Sequence, residues 1–249
     1  MVIIAVVTGD PYMTELIRTG RDIYVEYGAR IFHRKPERGN GGDQITDQLR
    51  EVAKKPTLGI FYGLTPWGFS TAIKEELGIE YSIEEAQGFF DTYFEMFPKV
   101  AEYYASMEES AHHLDRVYTV MGTRRWLPSL IGEPSDLDLE QGKAFWKSWA
   151  YRRNILLNSP IQGSGADLVV WSTNLFMPLL PPSVEVINLV HDEVDTLVTE
   201  ATLKSTIKTI TRAFQETFAK FYPQTDLVPQ IKWSIGRSWG ELQPIKSKF

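Results

Sequence analysis

An α+β fold is what this sequence predicts, and three observations predict it. Apolar residues recur at helical spacing through the first half, most plainly after Ser82. Two β-rich runs, 184–190 and 194–198, stand in the second half with His191-Asp192-Glu193 between them. A long amphipathic segment, 201–221, follows them. Helices dominate first and strands join helices later, with a boundary near residue 140.

Taken in order, Val2-Ile-Ile-Ala-Val-Val7 is apolar and β-rich. It is too short for a signal peptide and has no basic residue ahead of it, so it reads as a buried strand or helix. Residues 36–43, Pro-Glu-Arg-Gly-Asn-Gly-Gly-Asp, are loop. A helical pattern follows from Gln44 to Tyr62. Ser82-Ile-Glu-Glu85 is a capping box, and Ala86, Phe89, Phe90, Tyr93, Phe94 and Phe97 then form a stripe that reads as core. Pro98 interrupts, and a helix resumes from Val100 to Leu114. Residues 117–128 read as a short strand ending in a turn at Gly122. Residues 139–157 and the stretch after Gln162 read as helices, and a final strand covers Gln230 to Ile235.

The chain has 249 residues, 43% hydrophobic and 23% charged, which suits a globular protein with a buried core. With no cysteine, disulfides, thiolate zinc sites and cysteine nucleophiles are excluded, and a cytoplasmic setting is expected. No stretch approaches a membrane span, so no membrane partner is expected. The net charge of −6 argues weakly against nucleic acid. Basic pairs do occur at Arg34-Lys35, Lys54-Lys55, Arg124-Arg125 and Arg152-Arg153, each most simply a solvated surface.

Three segments carry chemistry. In the first, Arg50, Lys54, Leu58 and Tyr62 recur every four residues, so on a helix they form one stripe from two cations to a ring. Such a stripe could hold a triphosphate at one end and a sugar and base at the other, although spacing alone favours an ordinary amphipathic helix. In the second, Val190-His-Asp-Glu-Val194 puts two acids at a hairpin tip, where carboxylates suit Mg²⁺ or merely a polar turn. In the third, Asn158-Ser-Pro-Ile-Gln162-Gly163 offers amides that can read a minor groove, or a loop entering a helix.

Together and in this order, the segments resemble motif B, the Asn-x-Pro-x-Gln-Gly segment and motif C of the family A DNA polymerases, the group of DNA polymerase I and its phage relatives. Thr8-Gly9-Asp10, Gly20-Arg21-Asp22-Ile23, Phe94-x-x-Phe97-Pro98-x-Val100, Gly122-Thr-Arg124-Arg125-Trp-Leu127-Pro128 and Gly236-x-x-Trp239 extend the resemblance over nearly the whole chain. It implies helical fingers over 11–143 and the C-terminal palm, with an antiparallel sheet, over 144–249. Residues 1–10 would be a palm remnant, helical despite their β-rich composition. Lys54 and Arg50 would hold phosphates of a dNTP, with Leu58, Tyr62 and His191 also at the nucleotide. Gly63, Arg125, Arg153, Asn158, Gln162 and His191 would meet primer–template DNA. Lys54, Asp192 and Glu193 would be catalytic, and Asp192 and Glu193 would hold Mg²⁺, two ions serving the complete enzyme. The implied reaction is in-line attack of a primer 3′-OH on the α-phosphate.

The sequence also departs from the pattern. Pro56 falls inside the motif B helix, Leu58 stands where relatives carry Phe or Tyr, and Thr123 breaks an arginine run. Asn154 stands where an arginine is expected, with Arg153 beside it. No Asp-x-Ser-x-x-Glu, the family's motif A, occurs in the 249 residues. Asp136 and Asp138 lack a preceding strand and make poor substitutes. The expectation is a polymerase portion that takes its motif A aspartate from upstream sequence or from an N-terminal partner chain carrying motif A and the thumb. A split phage polymerase, acting in a bacterium or infected host cell, fits that expectation. The alternative is a catalytically inert module that binds primer–template or nucleotide. A hydrolase built on His191-Asp192-Glu193 is set aside, because that spacing is not a closed ligand set.

Overall fold

The structure is a computed structural model describing residues 1–111, 113–129 and 139–245; Asp136 and Asp138 lie outside the described residues. It is α+β, as the sequence predicts: helices dominate and the strands pair in antiparallel twos. It divides into two compact units, Met1–Gln162 and Gly163–Phe249. The division falls inside a helix and well beyond residue 140. Among the described residues no helix is long and apolar enough to cross a membrane.

The first unit opens with α1 (Val2–Thr8), which is helical although β-branched. Three neighbouring residues account for the way it ends. The Thr8 hydroxyl donates to the Ile4 carbonyl at 2.8 Å, and Gly9 adopts a left-handed φ of 68° that closes the helix. The fully buried Asp10 then caps α2 (Pro11–Arg18), accepting the Met13 N–H at 2.9 Å. Its other oxygen accepts the Lys99 N–H at 3.1 Å, which ties the start of α2 to the start of α7 (Pro98–Ser110). Asp22 repeats the device, capping α3 (Ile23–Ile31) through the Tyr24 N–H at 2.9 Å.

Thr46 caps α4 (Asp47–Gly59), and a 3₁₀ turn, Ile60–Tyr62, extends it. The interior Pro56 has no N–H for the Val52 carbonyl, yet both residues are buried and packing carries the helix through. After α5 (Pro66–Leu77), α6 (Ile83–Met96) starts with the capping box at Ser82 and Glu85. Its aromatic stripe is core: Phe90, Tyr93 and Phe97 are buried, and Phe69, Phe89 and Phe90 meet edge to face. The Tyr27 hydroxyl donates to the Phe89 carbonyl at 2.5 Å.

Segment 117–128 is a hairpin rather than one strand. β1 (Arg116–Tyr118) pairs with β2 (Arg124–Trp126), with Gly122 at φ 88° in the turn. The two predicted helices around Pro160 are one helix, α8 (Leu139–Phe176). Pro160 and Gly163 read as breakers, but Leu156, Leu157, Ile161, Leu168 and Val169 bury an apolar face along it, and burial outweighs propensity. Arg152 on α8 is buried and donates to the carbonyls of Ala111, Leu114 and Pro128, the first at 2.6 Å. That one guanidinium fixes the approach to β1 and the exit from β2.

In the second unit β3 (Glu185–Val190) and β4 (Glu193–Leu197) form a hairpin, and α9 (Glu200–Phe221) follows. Phe176, Ile210 and Ala213 make a core, against which Val186, Val194 and Trp233 pack. On the hairpin itself Ile187, Leu189 and Leu197 are left exposed. The last strand is shorter than predicted: β5 (Trp233–Ile235) pairs with β6 (Gln243–Ile245), a partner the sequence did not suggest. Gly236 permits this return, because a Cβ there would sit 2.6 Å from the Glu241 carbonyl oxygen.

Candidate nucleotide and DNA site

The α4 stripe forms, and its members have different surroundings. Arg50 turns toward α3, where its Nε donates to Asp22 Oδ2 at 2.8 Å and its guanidinium lies 4.8 Å from the Tyr24 ring centroid. Asp22 therefore caps one helix and holds a cation of the next. Burial raises the Tyr24 phenol above its usual range, and the Arg50 charge opposes that rise. Lys54 is more exposed and reaches Glu51 at 3.3 Å, a loose contact of the kind that contributes little and exchanges readily. Leu58 is half-buried. Tyr62 projects from the end of the 3₁₀ turn, 52% exposed. Partial burial still lifts its phenol above the usual range, so the ring stays neutral at physiological pH. The stripe thus presents one accessible amine and, two turns on, one accessible ring.

Gly63 follows at φ 76°, a left-handed conformation that favours glycine. A Cβ there would overlap the Asn154 carboxamide, with Cγ at 2.5 Å and Nδ2 at 2.6 Å. Asn154 thus fits against the chain just after Tyr62, a place too tight for a longer side chain in the same path. Asn154, Asn158 and Gln162 succeed one another at four-residue spacing, so α8 carries a row of amides on one face. Asn158 Nδ2 donates to Gln162 Oε1 at 3.2 Å. Oδ1 of both Asn154 and Asn158 is buried without a hydrogen-bond partner. Unpartnered buried acceptors of this kind are costly. The sequence singled out Asn158 and Gln162 but saw Asn154 only as a departure; the four-residue spacing was the available signal.

Arg153, the expected stand-in for the arginine missing at 154, turns into the first unit. Its Nε donates to Glu108 at 2.6 Å, and its guanidinium lies 4.7 Å from the Tyr104 ring centroid. Its side chain is 15% exposed, and burial pushes its pKa down. Arg125 is exposed on β2.

The second unit holds the acids. Val190 pairs with Glu193, which makes His191-Asp192 the loop of a tight hairpin. His191 takes a left-handed φ of 53°, uncommon for a side chain of its size. His191, Asp192 and Glu193 are all exposed at this tip. The donor chemistry fits Mg²⁺, which takes one or two carboxylates plus substrate phosphates and water. Among the described residues no three acidic or histidine side chains gather as a metal cluster, so the set is partial. Two residues on, Asp195 Oδ2 is buried without a hydrogen-bond partner, a polar group the sequence reading passed over.

The model of DNA polymerase family A matches residues 1–241. A thermostable DNA polymerase I from Thermus aquaticus is 30% identical over 95% of this chain and 25% of its own length. That of Thermus filiformis is 27% identical over 96% of this chain and 26% of its own length. The POL domain of Pol1 from M. smegmatis, solved in complex with a DNA primer-template and dNTP, superposes with a TM-score of 0.67 at 25% identity. That match covers 86% of this chain and 34% of the other. The chain therefore spans about a quarter of the length of the curated relatives it matches. With the family model matching residues 1–241, nearly the whole chain, this chain belongs to DNA polymerase family A.

Proposed function

We propose that the chain performs the nucleotide-binding and C-terminal palm part of template-directed DNA synthesis. Residues 11–143 serve as fingers, and 144–249 with 1–10 as palm. The observation that carries the reading is the β3–β4 tip, where two exposed carboxylates stand side by side on a tight turn. Packing gives no reason for two acids there, and a phosphoryl-transfer site does.

The chain's own residues divide the work. Lys54 holds the phosphates of an incoming dNTP, and Arg50 joins it on leaving Asp22. Tyr62 lies along the base, Leu58 against the sugar. Gly63 turns the backbone away from the template. Asn158 and Gln162 reach the minor groove of primer–template DNA, with Arg125 as a further DNA contact and Arg153 joining only on leaving Glu108. His191 meets the primer end and the phosphates. Asp192 and Glu193 would hold Mg²⁺, which when bound supplies activation of the attacking oxygen and charge stabilisation at the leaving pyrophosphate. Positioning and charge neutralisation are the protein's share.

The motif A aspartate comes from sequence outside these 249 residues, upstream or on a partner chain that also carries the thumb. The β3–β4 hairpin supports this reading: it is two-stranded, and its Ile187, Leu189 and Leu197 are exposed. Isolated hairpins are marginal, and a further strand or segment would cover those side chains. The setting is the cytoplasm of a bacterium or phage-infected cell.

Primer extension tests the reading, using the chain mixed with a chain carrying Asp-x-Ser-x-x-Glu and a thumb. Extension should require both chains and Mg²⁺. Asp192→Asn should lower it by more than about 10²-fold while DNA binding persists. Full activity from the 249 residues alone would refute the need for the second segment. Undiminished extension by the Asp192→Asn mixture would favour an inert binding module.

A further inference from the structure

We propose that the outer face of the β1–β2 hairpin, with the cavity beside it, binds an unpaired base of single-stranded DNA, as the overhang of a template presents one. The partner rests on the polymerase reading; the site rests on geometry that the reading does not use.

The strand register sets Arg116 opposite Trp126 and Tyr118 opposite Arg124, so these four side chains share one face. Packing does not explain them. The hairpin's contribution to the core is Val117, which joins Ala111, Leu127, Ile155 and Leu156. Trp126 and Tyr118 are 55% and 52% exposed. The guanidinium carbons of Arg116 and Arg124 lie 4.5 and 4.6 Å from the Trp126 ring centroid, so the two cations flank the indole. Asp115 grips Arg116 through two hydrogen bonds of 2.7 and 2.8 Å, which locks its orientation and offsets its charge. Arg124, on that same face, then serves for a phosphate. Neither strand contains an acid, in a chain whose net charge is −6.

A cavity of about 450 Å³ opens along the same hairpin. Met107, Leu114, Val117 and Pro160 give it apolar walls, and Arg116 and Tyr118 border it with a cation and a ring. That volume suits a small organic ligand, and an apolar wall beside an aromatic ring suits the face of a base. Pro160 belongs to the Asn158–Gln162 segment, so the cavity adjoins the residues assigned to the DNA minor groove. An apolar peptide would fit the walls but leave the arginines unanswered. A single strand uses both, its phosphates on cations and a base on an aromatic platform.

Fluorescence anisotropy with the 249-residue chain tests this. The probes are a blunt duplex, the same duplex with a single-stranded template overhang of about six nucleotides, within the reach of such sites, and that overhang made abasic. The wild-type chain should bind the overhang probe about tenfold more tightly than the blunt one, in line with one stacked base. Tyr118→Ala should abolish the preference and Tyr118→Phe should keep it. Met107→Trp, which fills the cavity, should abolish it again, and the abasic probe should behave like the blunt one. Equal binding of blunt and overhang probes, or a preference that survives both Tyr118→Ala and Met107→Trp, would overturn this inference alone. Binding of no probe would overturn the polymerase reading with it.

Discussion

Replacing Gly63 by alanine should destabilise the first unit by about 3 kcal/mol, from two separable sources. The left-handed φ of 76° costs a residue with a Cβ about 1–2 kcal/mol. The new methyl also meets Asn154, with Cγ at 2.5 Å and Nδ2 at 2.6 Å, and forcing it in costs about 1–3 kcal/mol. A double-mutant cycle separates the two. Asn154→Ala alone removes an oxygen that has no hydrogen-bond partner, so it should be neutral within about 0.5 kcal/mol. In that background Gly63→Ala should keep only the conformational part, about 1–2 kcal/mol. Urea unfolding reads both, and with a slope of about 2 kcal/mol/M the single mutant's midpoint should fall by about 1.5 M. If Gly63→Ala costs the same with and without Asn154, the contact described between them is wrong. If it costs less than about 0.5 kcal/mol, the turn after Tyr62 does not need glycine at all.

Lys54→Ala should raise the apparent KM for dNTP in reconstituted extension by about tenfold and leave duplex binding unchanged, because the lost amine makes a charge-assisted phosphate contact; equal losses in both assays would contradict the role given to it. Arg152→Met should lower stability by about 3 kcal/mol in urea unfolding, since the Ala111, Leu114 and Pro128 carbonyls lose a charged donor together. The carboxyls of Asp43, Asp47 and Asp115 are held below their usual range by hydrogen bonds from Lys35, Arg38 and Arg116. Groups depressed in the folded state stabilise above their unfolded pKa of about 4 and lose that contribution as pH falls through the folded value. Thermal midpoints should therefore decline on acidification below about pH 4, and added salt should shrink the effect because these pairs are exposed.

The local devices of this fold were legible in the sequence. Ser82 and Glu85 announced a helix start by chemistry that needs no tertiary partner, and the aromatic stripe after them fell into the core as its spacing implied. What escaped depended on distant contacts. Val2 to Val7 favour strand by side-chain branching, and only the resemblance pointed to a helix; Gly9 and the buried Asp10 end that helix and tie its successor to Lys99. Pro160 and Gly163 look like breakers, yet they lie within α8 because the residues around them bury an apolar face. The candidate site divides in the same way. Lys54, Tyr62, Asp192 and Glu193 were named through the family resemblance that three ordered segments carry; spacing alone left them open. That Arg50 answers to Asp22, and Arg153 to Glu108, lies in side-chain directions that no spacing encodes.

The left-handed backbone at His191 has a consequence for anyone selecting this protein for heat tolerance. Holding an imidazole-bearing residue at φ 53° costs about 1–3 kcal/mol that glycine would not incur, and asparagine would incur less of it. A screen that rewards only survival at high temperature should therefore push position 191 toward those residues. Each such winner would carry a sturdier hairpin and, on the role proposed for His191, a poorer grip on the primer end. On the proposed function, selection for robustness in this chain has to be coupled to nucleotide incorporation, or it will erode the loop beside Asp192 and Glu193.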